Sequence, residues 1–178
     1  MTDYNGIIEL DPAHTAIGFI ARHAMVTKVR GAFSDWTAEV NIDQENPSNS
    51  TIKTVIKTAS VDSGNEDRDG HVRGEDFFDV EKYPEMTFEA TDVTFDGDHA
   101  ATVTGDLTIK ETTKPVTLDV EIAGSEVDPW GATRIGFDAS TTINRKDFGL
   151  DFHAPLNSGG VLVSEKITIE IEGSGIKK

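Results

Sequence analysis

The chain has no cysteine, which excludes disulfides, thiolate metal sites and cysteine nucleophiles together and leaves the redox compartment open. Basic residues are scarce: 16 Lys and Arg stand against 32 Asp and Glu, for a net charge of -16. A field of that sign repels nucleic-acid phosphates and anionic lipid surfaces, so non-specific binding to either is not expected. No segment approaches the ~18 consecutive apolar residues of a membrane helix, and no stable membrane insertion is expected. The segment Met1 to Thr15 lacks the basic region and apolar run of a secretion signal, and the location expected from it is the cytoplasm. The five histidines (14, 23, 71, 99 and 153) show no HxH or HExxH spacing, and no serine stands in a GxSxG context. No metal and no cofactor is expected. Repeats, linkers and low-complexity tracts are missing too, so the 178 residues read as one domain, 1–178.

What is present is period-two alternation bounded by turn residues, the pattern of half-buried strands. Ile17, Phe19 and Ala21 share one face of the first clear strand, against Gly18 and Ile20. Lys28 to Asp43 places Trp36, Ala38, Val40 and Ile42 in one register; fully extended it would span roughly 50 Å, so a bend is expected near Gly31. After Asn46-Pro47-Ser48-Asn49, Ile52, Thr54 and Ile56 alternate, and further on Met86, Phe88 and Ala90 do the same before a hairpin turn at Asp96-Gly97-Asp98. Val103, Gly105, Leu107 and Ile109 follow, then a turn expected near Thr113-Lys114-Pro115, then Val116, Leu118, Val120 and Ile122. Ile135 to Ile143 and Ile167 to Ile171 complete the pattern. Antiparallel strands at hairpin spacing with almost no helix indicate an all-β barrel or sandwich, and about eight strands is the smallest closed barrel that holds a small ligand.

Between two such strands lies Glu66 to Pro84, EDRDGHVRGEDFFDVEKYP, far longer than the two to five residues of a hairpin connection. If Glu66 to Gly74 is helical, Arg68 and His71 share a face and Asp69 and Arg73 stand at ion-pair spacing. A solvated helix stapled by Phe77 and Phe78 and a lid over a barrel mouth both fit these residues. The inward faces mix large side chains with Ala21, Ala38, Ala90, Gly105 and Ala139, which serve equally to admit tight packing or to leave room for a ligand.

Nine motifs in order, DPAH (11–14), RH (22–23), VRGAF (29–33), RDGH (68–71), FFDVEKYP (77–84), TFEAT (87–91), GDLTIK (105–110), TKPV (113–116) and INRKDFG (143–149), make the chain resemble the YceI-like family. That family is polyisoprenoid-binding and lipocalin-like. The resemblance implies an antiparallel lipocalin-like β-barrel with a short helical lid, an isoprenoid or other long-chain lipid as partner, and no enzymatic activity. It implies a ligand lining of Phe19, Ala21, Trp36, Ala38, Val40, Phe77, Phe78, Phe88, Ala90, Leu107, Phe137 and Ala139. His14, His23, Arg30, Arg68, Asp69, His71, Asn144 and Arg145 are the corresponding head-group or lid candidates, with Arg68, Asp69 and His71 latching onto Asn144 and Arg145. Members of the family have been described as dimers, which leaves a homodimer open.

A diphosphate head would need Arg and Lys donors, whereas a quinone head needs only one or two hydrogen bonds; the overall charge favours the neutral or singly charged head. Two other readings use the same residues. His14, His23, His71 and Asp69 could assemble into a hydrolytic or metal site, or the barrel could be fully packed and serve as an interaction module.

Overall fold

The computed structural model describes residues 2–154, 156 and 162–178. Its strands are β1 (Gly6–Leu10), β2 (Ala16–His23), β3 (Thr27–Phe33), β4 (Trp36–Ile42), β5 (Thr51–Lys57), β6 (Val61–Asp62), β7 (Glu85–Phe95), β8 (Ala100–Ile109), β9 (Thr112–Val127), β10 (Thr133–Asn144) and β11 (Lys166–Lys177), with one α-helix, α1 (Glu66–Arg73). Three pairs of these segments are single strands with a kink. β11 pairs with β2 over Thr168 to Glu172 and with β1 over Gly175 to Lys177, along the same edge. β3 and β4 accompany β2 and β1, and β6 and β5 accompany β3 and β4. Every neighbour in the ring is antiparallel, and the ring closes between β11 and β1 as an eight-stranded up-and-down barrel.

The alternation of the sequence sets most inward faces: Ile52, Thr54 and Ile56 on β5, Leu107 and Ile109 on β8, and Ile135, Phe137, Ala139, Thr141 and Ile143 on β10 point one way. Two bulges reset it. Thr91 has no partner between Ala90, opposite Gly105, and Asp92, opposite Thr104, so Val93 and Phe95 turn inward below it. Ala123 is likewise passed over, since Ile122 faces Phe137 and Gly124 faces Gly136. Such bulges bend a strand and raise its twist, which closing a barrel demands.

Other expectations shift. The long run from Lys28 breaks at Ser34-Asp35, not at Gly31, where Ser34 N and Asp35 O are taken up by Ser60 O and Lys57 N. The turn after β8 falls on Lys110-Glu111, with Lys110 at φ 56°, and Thr113 to Pro115 belong to β9. Pro115 is tolerated there because β10 pairs with β9 only from Asp119 onward, so a missing N–H has an unpaired edge to face. β1 was not legible as a strand. It is short, opens on a positive-φ glycine and contributes Ile8 and Leu10 to the interior.

The buried residues form two clusters, not one. The lower cluster gathers Tyr4, Ile8, Ile42, Ala101, Ile122 and Ile135. Tyr4 plugs that end: its ring stacks on Phe95 with centroids 6.5 Å apart, its hydroxyl donates to Asp98 O at 2.8 Å and its N–H to Gln44 Oε1 at 2.7 Å. The upper cluster joins Ile17, Phe33, Ile56, Val61, Met86, Leu107 and Ile109 to Phe77, Phe148 and Leu150 from the segments above the barrel.

Candidate ligand-binding cavity

Between the two clusters lies a cavity of about 880 Å³ whose wall is almost wholly aliphatic and aromatic. Small-molecule sites run to roughly 300–1,000 Å³, so this is a large one. At ~30 Å³ per water-sized unit, on the order of 30 methylene-sized groups would fill it.

The wall is kept thin by cross-strand glycines. A Cβ at Gly31, Gly105 or Gly173 would stand 2.3, 2.5 or 2.4 Å from the ring of Phe19, Phe88 or Phe137. Lacking it, each glycine lets a phenylalanine from the neighbouring strand lie across the sheet, where it paves the lumen instead of filling it. No sequence pattern shows this, because the partners are far apart in the chain and meet only through register.

Nine of the twelve expected lining residues border the cavity. Phe19, Ala21 and Val40 line the cavity from β2 and β4, Phe88, Leu107, Phe137 and Ala139 from β7, β8 and β10, and Phe77 and Phe78 from above. Three candidates do not line it. Trp36 faces inward but is taken up by the upper packed cluster. Ala38 and Ala90 face inward with only a methyl group each, and beside Ala90 it is the Phe88 ring over Gly105 that forms the wall.

Polar groups gather at the upper mouth, where α1 and the segment after β10 sit. Asn65 caps α1, its Oδ1 accepting from Arg68 N at 3.0 Å, and acidic residues in the first turn suit the helix dipole. Asp69, 3% exposed, accepts from Ser63 N and Ser63 Oγ, while Arg68 donates to Ser63 Oγ and Ser63 O at 2.7 Å each. The expected Asp69–Arg73 pair is not formed. Arg73 instead donates to Glu66 Oε1 at 2.9 Å and to the carbonyls of Ala59 and Val61, tying the helix to β6. His71 Nε2 lies 2.8 Å from Asp76 Oδ2, and its ring meets Phe77 and Phe152 edge-on.

Arg145 is the most deeply placed cation, 2% exposed, and it lines the cavity. Its Nε, Nη1 and Nη2 donate to the carbonyls of Ser164, Leu150 and Val163, and its guanidinium lies 5.9 Å from the Phe77 ring centre. No carboxylate lies within ion-pair distance among the described residues. Burial pushes its pKa down, with Glu165 and Asp151 acting against that, and the group stays charged. The expected latch therefore takes another form: the lid reaches Arg145 through the face of Phe77, not through Asp69.

His23, Arg68, Asp69, His71 and Arg145 all border the cavity; His14, Arg30 and Asn144 do not. His14 sits in the turn between β1 and β2, where Asp11 accepts from it and from Arg134 at 2.8 and 2.9 Å; those two bonds, His14 first, hold the Asp11 carboxyl down at about 2. Arg30 pairs with Glu170 on the outer wall, and Asn144 spends its side chain capping the Arg145–Phe148 turn. His14, His71 and Asp69 thus have separate partners, and no metal-holding cluster of three that would include them or His23 occurs among the described residues. Sequence reasoning missed Arg22, Thr27, Ser63, Asn65 and Asp67 at the mouth. The Ser63-Gly64-Asn65 capping stretch before the helix was a legible signal for two of these neighbours, Ser63 and Asn65.

A closed antiparallel barrel with one plugged end, an apolar interior and a polar mouth is the architecture of a ligand-binding β-barrel. The family model described as YceI-like domain matches residues 9–174, and the chain belongs to that family. It is 40% identical over 166 residues to a UPF0312 protein of Photorhabdus laumondii, covering 93% of this chain and 84% of that one. Among solved structures it is similar to BcnA of Burkholderia cenocepacia, with a TM-score of 0.80 and 25% identity over 93% of this chain and 99% of the other. A polyisoprenoid binding domain from Saccharophagus degradans shares the fold, with a TM-score of 0.70 at 12% identity over 98% and 100% of the two chains. No helix among the described residues is long and apolar enough to cross a membrane.

Proposed function

We propose that this protein binds a long-chain isoprenoid, of the polyprenyl or isoprenoid-quinone type, or a similar amphiphilic lipid inside the barrel, for transport, storage or sequestration and without catalysis. The observation that carries this is the cavity: about 880 Å³ with an apolar wall, bordered by charged groups at its upper end. Roughly ten buried carbons supply about 8 kcal/mol of gross transfer free energy, so the tail sets affinity. The head is left at the mouth, where Arg68, Asp69, His71 and Arg145 already have protein partners. That favours a neutral or singly charged head needing one or two hydrogen bonds over a diphosphate needing several free cations. The test is mass spectrometry of an organic extract of the purified protein. The expected result is a long-chain lipid near one molecule per chain; repeated empty preparations, with no fluorescence gain from an added hydrophobic probe, would refute the reading.

A further inference from the structure

The β2–β3 turn, which stands at the open mouth, breaks three local rules at once. Ala24 and Met25 occupy its centre with φ of 50° and 71°, and Val26 N closes it onto His23 O at 3.2 Å. Two positive φ values in a tight hairpin call for Asn-Gly or Gly-Gly, not for alanine and methionine. Met25 and Val26 are 57% and 75% exposed, an apolar tip where turn residues are normally polar. Behind the tip, Arg22 and Lys28 are directly opposed across the hairpin, a like-charge pair that weakens it. Neither has a carboxylate partner among the described residues. Local rules fail together where function demands it.

The sequence around the tip sharpens the point. In a chain with twice as many acids as bases, no aspartate or glutamate occurs from Pro12 to Ser34, while Arg22, Lys28, Arg30, His14 and His23 all do. Arg22, His23 and Thr27 border the cavity, so the tip adjoins the opening through which a ligand must pass. An apolar point on a hairpin that itself carries no acid, with Arg30 held by Glu170 but Arg22 and Lys28 outside any ion pair among the described residues, fits the interfacial region of an anionic bilayer, where methionine and valine enter the acyl boundary and the cations meet the headgroups. The net charge of -16 does not prevent this. Screening limits each charge to about 8 Å at physiological ionic strength, so at contact the surface feels the tip and little of the rest.

We propose that the Met25–Val26 tip docks on an anionic phospholipid bilayer, presenting the barrel mouth to the membrane where cargo enters and leaves. The proposal rests on the carrier reading, and its test is chosen to separate the two. Flotation of the empty protein with vesicles of phosphatidylcholine containing about 30% phosphatidylglycerol reads docking alone; transfer of a fluorescent geranylgeraniol analogue from protein to the same vesicles reads cargo. Wild type is expected to float with these vesicles at about 50 mM salt and much less at about 500 mM. Met25→Gly/Val26→Ser is expected to lower both flotation and transfer about tenfold. Glycine suits the positive φ, so this variant keeps or raises the melting temperature and keeps its affinity for the analogue in solution. Lys28→Glu is expected to lose flotation and its salt dependence together. Wild type that fails to float, equal flotation of the double variant, or transfer that depends on an added protein and not on vesicle concentration overturns the proposal. A protein that floats but takes up no analogue overturns the carrier reading and leaves the docking surface in place.

Discussion

Ala139 lies buried on β10, borders the cavity and faces Val120 and Ile171 on the flanking strands, so Ala139→Trp puts an indole into the lumen. A benzene-sized group needs a cavity of ~150 Å³, and an indole somewhat more, so the substitution takes about a fifth of the 880 Å³. At ~30 Å³ per methylene-sized unit this displaces about five carbons of cargo, one isoprene unit. At ~0.8 kcal/mol each, the loss is about 4 kcal/mol of gross transfer free energy for a tail that filled the cavity, or up to about a thousandfold in affinity. A tail one unit shorter should lose far less. The fold should tolerate the change, because the new side chain enters open space and not a packed core, where enlargement costs ~1–3 kcal/mol. The assay is a titration of fluorescent polyprenols of graded length into wild type and variant, with melting temperatures measured in parallel. The expected result is an optimum shortened by about one isoprene unit, with a melting temperature within about 4 °C of wild type. An unchanged length profile would show that cargo does not occupy the lumen at β10. A fall of ten degrees or more, about 3 kcal/mol in a chain of this size, would place Ala139 in a packed core.

Three further outcomes follow from side-chain partners. Arg145→Ala leaves the carbonyls of Leu150, Val163 and Ser164 without their donor, and should cost about 3 kcal/mol or more, a melting temperature lower by about 6–12 °C; thermal denaturation checks it, and a change under about 2 °C refutes the anchoring role. Asp69→Ala removes the acceptor of Ser63 N and Oγ, not the partner of an arginine, and should loosen the start of α1 by ~1–3 kcal/mol; hydrogen exchange should accelerate at residues 63–73 and leave β7 to β11 unchanged. The Asp11 carboxyl, held down at about 2 from its ordinary 3.8 by His14 and Arg134, contributes stability that is fully present above about pH 4 and lost as pH falls through about 2. The melting temperatures of wild type and Asp11→Asn should therefore differ at pH 6 and converge near pH 2, and a difference independent of pH would sink the assignment.

Along single strands, the sequence by itself determined the inward faces of β2, β5, β8, β10 and β11, because period-two alternation is a local consequence of the pleat. It also settled the family through motifs spaced along the chain, and placed the helix of the Glu66 to Pro84 insertion, whose Asn65 cap and first-turn acids are adjacent residues. Tertiary structure alone decided what depends on partners distant in the chain. Thr91 and Ala123 become bulges only when β8 and β10 lie beside them, and Phe19, Phe88 and Phe137 open the lumen only because register brings Gly31, Gly105 and Gly173 beneath them. The INRKDFG motif could not say that Arg145 spends its guanidinium on three carbonyls, nor could the lid sequence say that Asp69 chooses Ser63 over Arg73. Long charged side chains have many acceptors within reach, and closure of the barrel determines which of them are present.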